Sequence, residues 1–241
     1  MRVEIWSDIA CPWCYVGKAR FDKALAAFPH RDRIEVVHRS FELDPARPKG
    51  TPELVLPMLA KKFGMSEAQA AEAERNLGRN AADEGLPYRT EGRDHGSTFD
   101  MHRLLHLAKA HGRQDALLAV LYRANFAEEE TVFADDERLV ALAVEAGLDE
   151  AEARAVLADE QRYAAEVRAD ERAATELGAN GVPFFVLDRR YGVSGAQPAE
   201  VFAQALTQAW ESHVPAAGLA TPAGAEGGEA CGPDGCELPR R

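Results

Sequence analysis

Cys11 and Cys14, in the run Cys11-Pro12-Trp13-Cys14, are the residues of this chain whose type and spacing best suit chemistry. They close a short β-like apolar run over residues 3–9 and open an amphipathic helical pattern. At such a strand-to-helix turn Cys11 meets the unpaired N–H groups and the dipole of the helix N-terminus, which favour a thiolate. A thiolate is the nucleophile of disulfide exchange, and a second thiol one turn further on can resolve the mixed disulfide. Pro12 fits the first helical turn, where a missing N–H is no loss. Trp13 brings no charge to Cys11; its ring offers apolar contact to a bound peptide or packs against the rest of the chain. A lone C-x-x-C is also half of a zinc site, which needs two further ligands at recognisable spacing. His102 and His106 stand at i, i+4, a spacing that suits metal binding, but no Glu completes an H-E-x-x-H and no third ligand is indicated. No metal is assigned.

A second pair of thiols closes the chain, Cys231 and Cys236, around Gly232-Pro233-Asp234-Gly235. Gly232, Pro233 and Gly235 favour a turn that brings the two sulfurs together. Residues 214–230, mostly Ala, Gly, Pro and Glu, read as a flexible linker. Such a linker reaches about 20–25 Å, comparable with the radius of a domain of this size. The tail pair is therefore expected to act as an auxiliary redox centre that exchanges with Cys11/Cys14. A static local disulfide, an unused pair of thiols and a zinc half-site remain alternatives.

Composition narrows the function classes. The net charge of −12 offers no basic patch to neutralise phosphates, so a nucleic-acid partner is excluded. No apolar stretch reaches the length of a membrane span. Met1-Arg2 leads directly into the first strand with no signal-peptide pattern, which makes a cytoplasmic protein the expectation. In a reducing compartment two close cysteine pairs suggest catalysis, redox sensing or metal binding rather than structural stapling.

The elements that must position the dithiol follow from periodicity. A helix over about 12–28 carries Phe21, Leu25 and Phe28 on one face, and residues 34–41 read as a second strand parallel to the first. Pro45, Pro48, Gly50 and Pro52 mark a loop. Helices are expected from the capping box Ser66/Gln69 to about 84, near 101–111, 115–126 and 136–146, briefly after Asp149, and over 161–177. Residues 184–187 and 191–194 form a hairpin, and Pro198 opens a last helix to about 210. The order β-α-β, helical insertion, α-β-β-α is that of an α/β thioredoxin fold split by a large α-helical subdomain, with a flexible C-terminal tail. The expected domains are 1–43 with 178–213, the insertion 44–177, and the tail 214–241.

With both ends of the pattern placed, the chain resembles the DsbA family of thiol–disulfide oxidoreductases, in its FrnE-like cytoplasmic branch. The residues that carry the likeness are Ser7-Asp8-Ile9-Ala10-Cys11-Pro12-Trp13-Cys14-Tyr15-Val16-Gly17 and Gly181-Val182-Pro183-Phe184-Phe185. Ser97-Thr98-Phe99-Asp100-Met101-His102-Arg103-Leu104 and Ala124-Asn125-Phe126 match insertion motifs of that branch. The resemblance implies that Cys11 exchanges and Cys14 resolves. It also implies a cis bond at Val182-Pro183, facing Cys11 and offering the Val182 backbone to an extended substrate, and it places His102 at the border of the substrate groove. No organic cofactor is implied, because the dithiol is the redox centre. The partners implied are protein or peptide thiols and disulfides, with glutathione or a thioredoxin-like protein recycling the dithiol. Kappa-class glutathione transferases and 2-hydroxychromene-2-carboxylate isomerases resemble the chain in topology, but usually carry serine near the position of Cys11. A glutathione-dependent transferase or isomerase is thus one alternative; a zinc-binding or redox-sensing interaction protein is another.

Overall fold

The computed structural model describes residues 1–133 and 135–213. Cys231, Cys236 and the linker before them lie outside the described residues. Strand β1 (Arg2–Ser7) is the axis of the fold. It is buried on both faces after Arg2, as a strand covered from two sides must be. Val3 and Ile5 point into a core with Phe21, Phe185, Phe202 and Leu206. Trp6, on the opposite face, packs with Ala174, Phe184 and Val186. Helix α1 (Pro12–Ala26) crosses over to β2 (Glu35–Ser40), which pairs parallel with β1 from Arg2↔Glu35 to Ser7↔Ser40. At the other end of the chain β5 (Phe184–Leu187) pairs antiparallel with β1, and β6 (Tyr191–Ser194) closes a hairpin on β5. The sheet order is β2-β1-β5-β6. The last helix, numbered α9 below (Ala199–Glu211), covers it beside α1.

The chain between β2 and β5 is helical. It contains α2 (Val55–Phe63), α3 (Glu67–Asp83), α4 (Phe99–Ala110), α5 (Gln114–Ala127), α6 (Asp136–Glu145), α7 (Glu150–Ala158) and α8 (Ala164–Glu176). A two-residue ribbon, β3 (Glu53–Leu54) with β4 (Asp94–His95), ties the start of α2 to the approach of α4. The capping box is formed: the Gln69 N–H donates to Ser66 Oγ at 3.2 Å and the Ser66 N–H to Gln69 Oε1 at 2.8 Å. Residues 161–163, expected in a helix, form a turn instead, because Tyr163 adopts φ 64° and breaks the helical run before α8. Neither α2 nor the ribbon is singled out by periodicity: nine residues give few turns to repeat, and two-residue strands carry no pattern.

α4 is buried along nearly its whole length and is fastened by polar contacts at two seams. His106 Nε2 lies 3.2 Å from both Ser40 Oγ and Asp170 Oδ2, joining α4 to β2 and α8. His102 Nε2 lies 3.4 Å from Oδ1 of Asp8. Their i, i+4 spacing thus gives each histidine its own carboxylate. Among the described residues no group of His, Cys, Asp or Glu is arranged to hold a metal ion. No helix among them is long and apolar enough to cross a membrane.

α1 belongs to two cores at once. Its first turn, with Cys14 and Tyr15, packs among Leu104, Tyr122 and Phe126 of the insertion. Phe21 and Ala24, two turns on, pack against the sheet and α9. Tyr15 stacks on Phe126 at 5.1 Å, while Phe21 meets Phe202 edge-on at 5.7 Å.

Candidate active site

The loop from Asp8 to Ala10 sets the dithiol. Buried Asp8 accepts the Leu43 N–H at 2.8 Å and the Ala10 N–H at 3.3 Å, which turns the chain out of β1. Asn125 of α5 donates to the Ile9 carbonyl at 2.8 Å. Cys11 then caps α1 in an extended conformation (φ −88°, ψ 111°), with Pro12 as the first helical residue. The Cys11 carbonyl accepts the N–H groups of Cys14 and Tyr15 at 3.0 and 3.3 Å, starting the helical ladder.

Both cysteines are reduced and mostly covered, Cys11 at 5% and Cys14 at 1% exposure. Cys11 lines a cleft, whereas Cys14 faces the insertion core. Burial, and after it the adjacent Cys11 sulfur, push the Cys14 thiol well above its ordinary range; an N–H bond from the Asp8 backbone only partly offsets this.

Val182-Pro183 is cis, as expected. The Cys11 thiol lies 3.7 Å from the Val182 carbonyl oxygen, so this turn and the dithiol share one surface. The cleft beside them holds about 290 Å³ and is largely apolar. Trp13, 39% exposed, stands on its rim, and Met58, Leu59, Phe63 and Leu77 of α2 and α3 form the facing wall. Buried Arg93 and Glu74 lie in its floor, paired at 2.5 Å, with Tyr88 donating to Glu74 at 3.0 Å.

His102 stands elsewhere than expected. It does not line the cleft; at 1% exposure it lies behind the dithiol, against Asp8. The burial of α4 explains this, since the helix faces core on almost every side. Arg93, Glu74 and the apolar wall of α2 escaped the sequence reading. The signal for them was weak: an Arg and a Glu nineteen residues apart meet only through the tertiary fold.

The model of the DSBA-like thioredoxin domain matches residues 2–207. The chain belongs to the DSBA-like thioredoxin domain family. A similar solved structure is the probable DsbA oxidoreductase SCO1869 from Streptomyces coelicolor, 70% identical over all of both chains, with a TM-score of 0.89. The uncharacterized protein YwbO of Bacillus subtilis (strain 168) is 27% identical over 207 residues, covering 86% of this chain and 96% of its own. The cytosolic disulfide reductase DsbM from Pseudomonas aeruginosa shares the fold at 20% identity and a TM-score of 0.61, over 88% of this chain and all of its own. Within the DSBA-like family, then, this chain carries a complete cysteine pair beside a cis-proline turn and an apolar cleft.

Proposed function

We propose that the protein is a thiol–disulfide oxidoreductase in which Cys11 exchanges with substrate and Cys14 resolves. The observation that carries this reading is the asymmetry of the pair. Cys11 sits at a helix N-terminus, opens to a cleft and lies 3.7 Å from the Val182 carbonyl. Cys14 is sealed behind it, with its thiol held protonated by burial. A helix N-terminus favours negative charge, and a thiolate is the nucleophile of disulfide exchange.

In the reductive direction the Cys11 thiolate attacks one sulfur of a substrate disulfide, and the other sulfur leaves as a thiolate. Cys14 then loses its proton and attacks Cys11; the second substrate thiolate leaves. Two electrons pass from the dithiol to the substrate, and the reverse sequence oxidises a substrate dithiol. The Val182 backbone offers an extended peptide a hydrogen-bonding edge beside Cys11, as in strand addition. Trp13 supplies apolar contact at the rim. Protein or peptide thiols and disulfides are the substrates of this reading. Glutathione or a thioredoxin-like protein returns the pair to its starting state.

Cys14→Ser tests it. The reduced variant is expected to accumulate mixed disulfides on Cys11 when unfolded protein substrates are offered as their disulfides, identified by mass spectrometry and released by dithiothreitol. Cys11→Ser is expected to form none. Mixed disulfides on Cys14, or insulin-disulfide reduction undiminished in Cys11→Ser, would remove the assignment.

A further inference from the structure

The turn that faces Cys11 is lightly held. Besides the contact of the Cys11 thiol with the Val182 carbonyl, residues 180–183 make one hydrogen bond to the rest of the fold among the described residues. In it the Gly195 N–H donates to the Pro183 carbonyl at 2.8 Å. Helix α1 abuts the turn at Gly17, where an added Cβ would stand 3.0 Å from Pro183 Cγ and 3.3 Å from Cα of Ala196. Such packing fixes how near the turn stands to the dithiol helix, but apolar contact carries little direction. The direction in which the Val182 carbonyl points therefore falls to the Gly195 bond, and to whatever holds Gly195 and Ala196 in place.

Arg20 of α1 holds them. Its Nη1 donates to the Ala196 carbonyl at 2.8 Å, its Nε to Glu84 Oε1 at 2.7 Å and its Nη2 to Asn80 Oδ1 at 3.1 Å. The side chains of Arg20 and Glu84 are each 14% exposed, so solvent screens this pair less than a surface pair. A guanidinium is planar and its donors point in fixed directions, so the three acceptors are locked at set mutual angles. Two of them come from the C-terminal end of α3. Ala73 and Leu77 of the same helix line the cleft beside Cys11. The spacing of residues 73, 77, 80 and 84 puts all four on one face of α3. One helix face thus carries cleft wall at one end and the Arg20 clamp at the other.

From this we infer that Arg20 is a positioning residue that makes the site selective for extended peptide disulfides over small ones, an assignment that rests on the exchange chemistry proposed above. Through Ala196 and Gly195 it orients the Val182 carbonyl. Through Asn80 and Glu84 it sets that carbonyl at a fixed distance from the cleft wall. Arg20 itself does not line the cleft. A peptide that lays its backbone against Val182 and an apolar side chain in the cleft meets two contacts already spaced for it, which lowers the ordering cost of binding. A small disulfide that needs only the Cys11 sulfur gains nothing from that spacing.

The test compares two substrates, a fluorescent peptide disulfide with leucine beside its cysteine and 2-hydroxyethyl disulfide. The proteins are the wild type, Arg20→Met, and the double variant Asn80→Ala with Glu84→Gln. In Arg20→Met, kcat/KM for the peptide is expected to fall roughly tenfold, chiefly through a rise in KM, while 2-hydroxyethyl disulfide reacts within roughly twofold of wild type. The double variant is expected to move the same way by a smaller factor. A clamp that merely stabilises the fold predicts equal effects on the two substrates. Equal losses, or no loss on the peptide, therefore overturn the inference. The pH profile of Cys11 alkylation in Arg20→Met is expected to superimpose on that of the wild type. A displaced profile would make Arg20 a charge acting on the thiolate and overturn the inference too. Should Arg20→Met not fold, the double variant decides by the same comparison of substrates. If neither disulfide reacts at Cys11 of the wild type, it is the proposed function that falls. The position of the turn is then read from the ¹³C signal of the Val182 carbonyl, which is expected to move in the variants; an unmoved signal overturns the role of Arg20.

Discussion

Replacing Gly17 by alanine asks how tightly the dithiol helix and the proline turn are fitted together. A Cβ at this position stands 3.0 Å from Pro183 Cγ and 3.3 Å from both Cα and Cβ of Ala196. In the interior of α1, alanine is worth about 1 kcal/mol over glycine in helix propensity. Overpacking of a close-fitted contact costs about 1–3 kcal/mol. Two of the three contacts are with side-chain atoms and one is with backbone, so neither Pro183 nor Ala196 can swing aside on a free rotamer. We expect the contact to win, with a net loss of about 1 kcal/mol, read as a shift of the urea midpoint at unchanged m-value. Relief comes most easily by displacing the Pro183 turn, which moves the Val182 carbonyl from its place 3.7 Å from the Cys11 sulfur. Exchange with a fluorescent peptide disulfide should therefore fall severalfold in kcat/KM. Gly181→Ala is the control: it lies next to Val182 with nothing within 4 Å of the added Cβ. A Gly17→Ala protein about 1 kcal/mol more stable than wild type, with unaltered exchange, would refute the reasoning.

Other expectations follow from buried polar contacts. Arg93→Met strands Glu74 in the floor of the cleft and should cost about 3–5 kcal/mol by denaturant unfolding, whereas Arg93→Met with Glu74→Leu should recover much of it. Asn125→Leu leaves the Ile9 carbonyl unpaired before Cys11; a loss of about 1–3 kcal/mol and slower exchange are expected, and neither should follow from Arg154→Leu, which removes an exposed pair. Although burial opposes its charge, Asp170 is held below the ordinary carboxylate range by His106, the Ser40 N–H and Arg39. The resulting stability is present above the unfolded carboxylate pKa near 4 and is lost as pH falls through the lower folded value. Asp170→Asn should thus narrow the gap in thermal stability between pH 7 and pH 3, and an unchanged gap would show that this carboxylate does not contribute it.

Local signals made the frame of the site legible. The apolar run before Cys11, the proline at the first helical position and the Ser66/Gln69 box each act within a few residues, and each appears in the structure. So does the hairpin after Pro183. What was not legible depends on distance in sequence. The wall of the cleft comes from α2, whose start is fixed by a ribbon pairing Leu54 with Asp94. His102 stood out by type and motif, yet its partner Asp8 lies on a different element, and no periodicity announces an imidazole meeting a carboxylate across ninety-odd residues. Its expected place at the groove followed from likeness, whereas its actual place follows from the burial of α4.

The division of α1 between two cores bears on how such a protein can be cut, grafted or diversified. The sheet and α9 would keep Phe21 and Ala24 covered without the helices between β2 and β5, but Cys14 and Tyr15 would lose Leu104, Tyr122 and Phe126. A chain trimmed to its strands and flanking helices would therefore not be a minimal version of the enzyme, because its second thiol would stand in water and lose the burial that sets it apart from Cys11. Conversely, substitutions in α4 and α5 can retune the inner thiol while leaving the sheet untouched. The inserted helices are in this sense the dial for the dithiol's reactivity, and the sheet is the bench on which it is mounted.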